Sequence, residues 1–192
     1  IEICEELLHA QGHVYPSTLD RVTLVARTRD GRRIEGQAVA CHSRCALERV
    51  SLSSSGPIVA YEPAVRAIRK ADLIVLGPGS LYTSIIPNLV VPGIADAIRE
   101  SEGTVVFVCS LADMQGETWG LSALEYYDAL RDHGMEGLVD YMFIHDGDGR
   151  LSAASRRVSE ADPDAFARFD VQPPDFACVS RADGDRPVRP VR

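Results

Sequence analysis

Residues 71–89 read A-D-L-I-V-L-G-P-G-S-L-Y-T-S-I-I-P-N-L. An apolar run from Leu73 to Leu76 stops at two glycines around a proline, and hydroxyls follow at Ser80, Tyr82, Thr83 and Ser84. Four apolar residues bounded by turn signals fit a strand covered on both faces, as in the centre of a parallel sheet. Gly77 and Gly79 carry no Cβ and Pro78 fixes φ, so the chain can bend sharply and a ligand can approach its backbone. Amide N–H groups from Gly79 to Thr83 would then open a helix or turn, where donors and dipole suit a phosphate. Ser80, Thr83 and Ser84 add hydroxyls, and Tyr82 can stack on a base or sugar. No lysine follows the glycines and their spacing is not G-x-G-x-x-G, so neither common nucleotide fingerprint is present. From these residues alone the turn is either the wall of a ligand site or a tight strand-to-helix turn with a serine cap.

Working outward, the rhythm is strand, helix, strand, helix, strand. V105-V-F-V and L138-V-D-Y-M-F-I repeat the pattern of the first apolar run. Between them, V91-P-G-I-A-D-A-I-R-E predicts a helix packing through Ile94, Ala95 and Ile98. S122-A-L-E-Y-Y-D-A-L-R-D-H-G opens on a Ser-x-x-Glu capping box, with Leu121, Leu124, Tyr127 and Leu130 on one stripe and Gly134 as its stop. Upstream, E62-P-A-V-R-A-I-R-K predicts a short helix with Pro63 in its first turn. Residues 14–52 alternate as β structure, with a turn at R29-D-G31 and an extended run resuming at R33-I-E-G-Q-A-V-A. The expected fold class is α/β, a three-layer parallel sheet with an inserted antiparallel hairpin at 14–52. One domain over 1–150 and a polar peripheral extension at 151–192, where only F176-A-C-V resembles a strand, complete the division.

With 192 residues and 45% hydrophobic side chains, the chain can bury one good core. It begins at Ile1 in what reads as the middle of an amphipathic helix, so the expectation is an incomplete domain whose first part is missing. A net charge of −8 repels phosphate backbones and argues against broad nucleic-acid binding. No apolar run approaches the roughly 20 residues a membrane-spanning helix needs, and no signal peptide is visible, so the expectation is a cytoplasmic protein. The five cysteines read as reduced thiols. C41-H-S-R-C45 resembles half a metal site without its second pair of ligands, and no metal is expected there.

Two further loops fall on the same predicted rim. V108-C-S-L-A-D-M-Q-G-E-T-W-G follows the second strand, and its Asp113, Gly116, Glu117 and Thr118 could face a ligand or serve only as loop polar groups. H145-D-G-D-G ends the third strand, with His145 and Asp146 on the rim or simply in a turn. Ser80, Ser84 and Cys109 each lack a sequence-local base, so no catalytic residue is assigned.

Residues 71–98 resemble the signature of the gluconeogenesis-factor family of uridine-diphosphate-sugar-binding regulators, which is related to 2-phospho-L-lactate transferase. V14-Y-P-S-T-L-D-R-V-T-L-V-A with D30-G31 is similar to that family's Leu-Pro-Ala-Thr strand and hairpin. The loop at 108–120 is similar to its Cys-Asn-Leu-Met-Thr-Gln-Pro-Gly-Glu-Thr loop, and the likeness covers roughly residues 1–145. The resemblance implies a Rossmann-like fold with a nucleotide-linked ligand at the carboxyl rim. The implied ligand-binding residues are Gly77, Pro78, Gly79, Ser80, Leu81, Tyr82, Thr83, Ser84, Asn88, Gly116, Glu117 and Thr118. The implied role is a regulator of carbon metabolism, cell shape and wall synthesis rather than an enzyme. The transferase branch implies a guanylyl-linked donor, a deazaflavin acceptor and magnesium, held by carboxylates such as Asp113 or Asp146. That branch has a Ser-Asn-Pro type of turn where this chain has Gly79, Ser80 and Leu81, which favours the regulator. A scaffold fragment that dimerises through the hairpin is the remaining expectation, and a homodimer is compatible with each reading. The family's N-terminal Gly-Gly-Gly-Thr-Gly phosphate loop has no counterpart here. Ser110, Ala112, Asp113, Met114 and Gln115 also depart from the family loop, so only Gly116, Glu117 and Thr118 carry over there.

Overall fold

A computed structural model describes residues 5, 7, 9, 11–110, 114, 116–145, 169–172 and 176–181. Strand β1 (Thr23–Thr28) lies between β2 (Arg33–Glu35) and β3 (Leu47–Ser53), antiparallel to both. A five-stranded sheet runs β4 (Leu73–Leu76), β5 (Thr104–Val108), β6 (Tyr141–His145), β8 (Phe176–Arg181), β7 (Phe169–Gln172). Its first three strands are parallel, and β8 and β7 extend it in antiparallel register. The α/β class is as expected, and the hairpin gains a third strand. The tail at 151–192, expected to be peripheral, contributes two strands to the main sheet.

One apolar core serves both sheets. Leu24, Ala26 and Val50 from the small sheet share a buried cluster with Leu76, Phe107 and Ile144 from the large one. Helix α2 (Glu62–Lys70) packs against α4 (Ile94–Glu100), whose buried face is Ile94, Ala97 and Ile98. Pro63 sits in the first turn of α2, with Glu62 at its N-terminus and Arg69 and Lys70 at its end, so sequence and helix dipole agree.

Three expectations are corrected. Strand β4, read as central, is the edge of the sheet, and Leu73 and Val75 are 55% and 49% exposed. The run after Arg33 ends at Glu35: Gly36 adopts φ 94, and Gln37–Cys41 form a short helix, α1. A positive φ is cheap only for glycine and breaks the extended run at that point.

The third correction concerns α5 (Ala123–Leu130), which has the predicted capping box. Ser122 Oγ accepts from the Glu125 N–H at 3.3 Å, and the Ser122 N–H donates to Glu125 Oε2 at 2.7 Å. Its buried face, however, is Ala123, Tyr126, Ala129 and Leu130: of the expected stripe Leu121 and Leu130 are buried, while Leu124 and Tyr127 are only half-buried. The Tyr126 hydroxyl donates to Thr118 Oγ1 at 2.9 Å in the interior, which fixes the helix rotation. Replacing Ser122 with alanine should lower stability by about 1 kcal/mol, the usual cost of a lost N-cap, read from the urea midpoint at unchanged slope.

Candidate functional site

The carboxyl ends of β4 and β5 meet where two loops cross. After β4, Gly77 takes φ 90, and the Gly77–Pro78 peptide is cis. A Cβ on Gly77 would lie 3.0 Å from the Val108 carbonyl oxygen and 3.1 Å from Ile85 Cδ1, so the strand ends are too close for a larger residue. Gly79 has only ordinary contacts at its Cβ position. One π-helical turn follows at Leu81–Ile85, in which the Ser84 and Ile85 N–H groups both donate to the Ser80 carbonyl, at 2.9 and 3.0 Å. A single π turn places an extra residue in the helix and recurs at functional sites. Helix α3 (Ile86–Leu89) continues it.

Glu117 occupies the middle of this turn from the neighbouring loop. It is fully buried, and its Oε1 accepts from the amides of Tyr82 at 2.8 Å and Thr83 at 3.1 Å. Oε2 accepts from the Thr83 hydroxyl at 2.9 Å. Two amides expected to face a phosphate are therefore capped by the protein's own carboxylate, at the start of a helical turn where a negative group is favoured. Thr118 is also buried; its Oγ1 accepts from the Met114 N–H at 2.8 Å and from Tyr126. The Glu117 carbonyl accepts from the Leu47 N–H at 2.9 Å, joining the same loop to β3. Glu117 and Thr118 thus hold two loops and the small sheet together.

Tyr82, expected to stack on a ligand, points into the core instead and is 4% exposed. Burial pushes its phenol up to about 12, and its ring meets that of His133 edge to face at 5.9 Å. Leu81 and Thr83 are buried as well. Gly79 and Ser80 retain backbone amides without a partner among the described residues, and the Ser110 hydroxyl donates to the Gly79 carbonyl at 3.4 Å. Ser84 and Asn88 are exposed, and Asn88 Nδ2 donates to the Ser84 carbonyl at 2.6 Å. The Ser17 hydroxyl donates to Asn88 Oδ1.

These exposed groups border a cavity of about 580 Å³ between the turn and the small sheet. Thr23, Gln37, Leu52, Ser84 and Asn88 are among its lining residues, and none of those residues is ionisable. Gln37 was missed by the sequence reading, which placed it in a strand. Its Nε2 donates to the Thr83 carbonyl at 2.8 Å, so α1 braces the turn at the same residue whose amide and hydroxyl bind Glu117. The only local signal was Gly36 ahead of helix-tolerant residues.

Cys109 is buried and its thiol is pushed up to about 12 by desolvation, so it is a poor nucleophile at neutral pH. Cys41 and Cys45 are half-buried free thiols, and no group of three or more His, Cys, Asp or Glu that could hold a metal occurs among the described residues. Asp113 and Asp146 lie outside the described residues, while His145 ends β6. No single helix among the described residues is long and apolar enough to cross a membrane.

His133 joins the same framework. Its Nε2 accepts from the Val50 N–H at 3.0 Å and its Nδ1 donates to the Ala129 carbonyl at 2.6 Å, which assigns the neutral Nδ1–H tautomer. Burial holds its pKa below the ordinary 6.5, with the Arg49 charge acting in the same direction. The unfolded chain therefore gains a proton on this ring as pH falls through about 6.5, while the folded chain does not. Stability from this group is complete above that pH and is lost as pH falls toward the folded-state value. The urea midpoint should decline between pH 7 and pH 5, and His133→Gln should flatten the decline attributable to this residue.

The family model described as 2-phospho-L-lactate transferase CofD matches residues 1–175. A provisionally named gluconeogenesis factor of Deinococcus radiodurans is 46% identical over 130 residues, covering 67% of this chain and 28% of that protein. A gluconeogenesis factor of Halalkalibacterium halodurans is 37% identical over 140 residues, covering 73% of this chain and 43% of that protein. The chain therefore spans less than half the length of these relatives. An X-ray structure of a Bacillus halodurans protein is similar with a TM-score of 0.73 at 34% identity, covering 79% of this chain and 48% of that one. A second crystal structure of the same Bacillus halodurans protein, described as a member of the UPF0052 family, gives a TM-score of 0.72 at 34% identity, with the same coverage.

Proposed function

The chain belongs to the 2-phospho-L-lactate transferase CofD family, and on that premise we propose that it is a nucleotide-sugar-binding regulator of the gluconeogenesis-factor type, with a uridine-diphosphate sugar as its ligand. The observation that carries this reading is the uncharged cavity beside the β4 turn. Its size suits a small ligand, and the amide of Gln37, the hydroxyls of Thr23 and Ser84 and the amide of Asn88 offer neutral donors and acceptors that sugar hydroxyls can use. The diphosphate belongs outside this cavity, because Glu117 takes the Tyr82 and Thr83 amides and would repel it. Among the described residues, the amides of Gly79 and Ser80 remain open on this rim. In the same reading the protein works in the cytoplasm and influences carbon metabolism and cell-wall synthesis.

Calorimetry of the full-length protein with uridine- and guanosine-linked diphosphate sugars tests the reading. Micromolar binding of a uridine-linked sugar, about −8 kcal/mol, is expected, with Gln37→Leu and Ser84→Val each weakening it by roughly tenfold. Tight binding that ignores both substitutions would place the ligand outside the cavity. Absence of binding by either nucleotide class would leave the scaffold reading.

The family's description favours one alternative, a phospholactate-type transfer to a deazaflavin with magnesium. Glu117 is committed to three donors, and Asp113 and Asp146, the carboxylates this branch would use, lie outside the described residues. Turnover of a guanylyl-linked donor with a deazaflavin acceptor would replace the regulator reading with this one.

A further inference from the structure

Arg27, Arg33 and Arg49 stand in one row across the small sheet. Arg27 is the register partner of Arg33 on β2 and of Arg49 on β3, so all three side chains leave the same face. All are exposed, away from the buried Leu24 and Ala26. Like charges directly opposite one another destabilise a sheet, and this arrangement occurs in a chain of net charge −8. Neighbouring carboxylates offset it only in part. Arg27 Nε lies 3.3 Å from Glu48 Oε2 and Arg33 Nη2 lies 2.8 Å from Glu35 Oε1, both in exposed pairs. Arg49 has no ion pair among the described residues. The row borders a depression of about 320 Å³, whose walls include Gly31 of the hairpin turn and Ser51.

We infer that this arginine row is an anion site for two linked phosphoryl groups, separate from the cavity beside the β4 turn. Three guanidinium forks at the spacing of adjacent strands spread their charge over roughly 10 Å, and each fork can bind a phosphoryl oxygen pair. Exposed ion pairs of the Arg27–Glu48 kind are worth at most about 1 kcal/mol, so a doubly charged phosphate displaces the carboxylates readily. A short depression of this volume suits a compact anion, while the overall negative charge disfavours an extended nucleic acid. Along β1 the row lies roughly 13 Å from Thr23 in the cavity wall, four residues away. The inference rests on the sheet register and does not depend on the nucleotide-sugar reading.

Inorganic pyrophosphate is the probe, titrated into the full chain by calorimetry at low and at physiological salt. Saturable binding is expected, weakening as salt screens the site. Arg27→Gln with Arg49→Gln should reduce affinity at least tenfold while the far-UV spectrum and thermal midpoint of the unliganded protein stay the same or improve, because like charges are removed. Arg33→Gln alone gives the same direction with a smaller loss. A nucleoside diphosphate binding as tightly as pyrophosphate, and losing affinity in the same variants, would identify the phosphates as the recognised part. No pyrophosphate binding, binding indifferent to the arginines, or loss instead in Ser84→Val would overturn the site. A glutamate-rich peptide that displaces pyrophosphate at lower concentration would also overturn it, in favour of a protein partner.

Discussion

Replacing Glu117 with alanine is expected to lower stability by about 3–5 kcal/mol, the largest effect of any single side chain at the rim. The carboxylate is fully buried and is the acceptor for the Tyr82 amide, the Thr83 amide and the Thr83 hydroxyl. Alanine would leave three interior donors without an acceptor, each at roughly 1–3 kcal/mol if no water reaches it. Water entering the vacated space would recover part of this, which sets the range below the full sum. Glu117→Gln separates hydrogen bonding from charge. Its carbonyl oxygen can replace Oε1 for both amides, and its NH₂ can donate to the Thr83 hydroxyl, which accepts as well as donates. About 1 kcal/mol is then expected, the difference between charge-assisted and neutral bonds. Urea unfolding at constant slope measures both. A Glu117→Ala loss under 1 kcal/mol would mean that the amides reach solvent and remain available to a ligand's phosphate.

This dependence on a second loop also explains how far the sequence was readable. The capping box at Ser122 and Glu125 and the first-turn Pro63 are local devices, and both helices formed where those residues placed them. Strand β4 was located correctly, but its edge position with Leu73 and Val75 exposed depends on which strands lie beside it, which its own four residues do not encode. The rotation of α5 follows from the contact between Tyr126 and Thr118, eight residues apart across a loop. Gly77 announced a turn through its own backbone requirement. The part played by Glu117 arises only when residues 34 and 35 positions apart meet, so the same carboxylate read equally well as a ligand contact. Tyr82 illustrates the same limit, since a hydroxylated aromatic at a rim suits a base as well as it suits the ring of His133. At the small sheet, alternation located the hairpin, whereas the arginine row became visible only with the register of all three strands.

The meeting of the two loops depends on Gly116, and Gly116→Ala is the second large effect expected. Gly116 has φ 83, and a Cβ built on it would fall 1.6 Å from the Ser43 carbonyl oxygen and 2.7 Å from the Ser43 carbonyl carbon. The obstacle is backbone, and that backbone is itself held. The Ser43 N–H donates to the Ala40 carbonyl at 3.1 Å, and the Ser43 hydroxyl donates to the Cys45 carbonyl at 2.7 Å. Relief therefore requires the segment around Ser43 or the Glu117 loop to move, and the Leu47 N–H bond to the Glu117 carbonyl opposes their separation. Left-handed strain contributes roughly 1–2 kcal/mol and overpacking roughly 1–3, for an expected loss of about 2–5 kcal/mol. Gly134 is the control, because its φ is 93 but nothing lies within 4 Å of its Cβ position. Gly134→Ala should show the left-handed strain alone, roughly 1–2 kcal/mol. Equal losses in the two variants would mean that the Ser43 contact yields without cost, and that Glu117 is positioned by the β4 turn rather than by the loop carrying it. A larger loss at Gly116, with weaker nucleotide-sugar binding than in Gly134→Ala, would tie the geometry of the proposed site to this single close approach of two backbones.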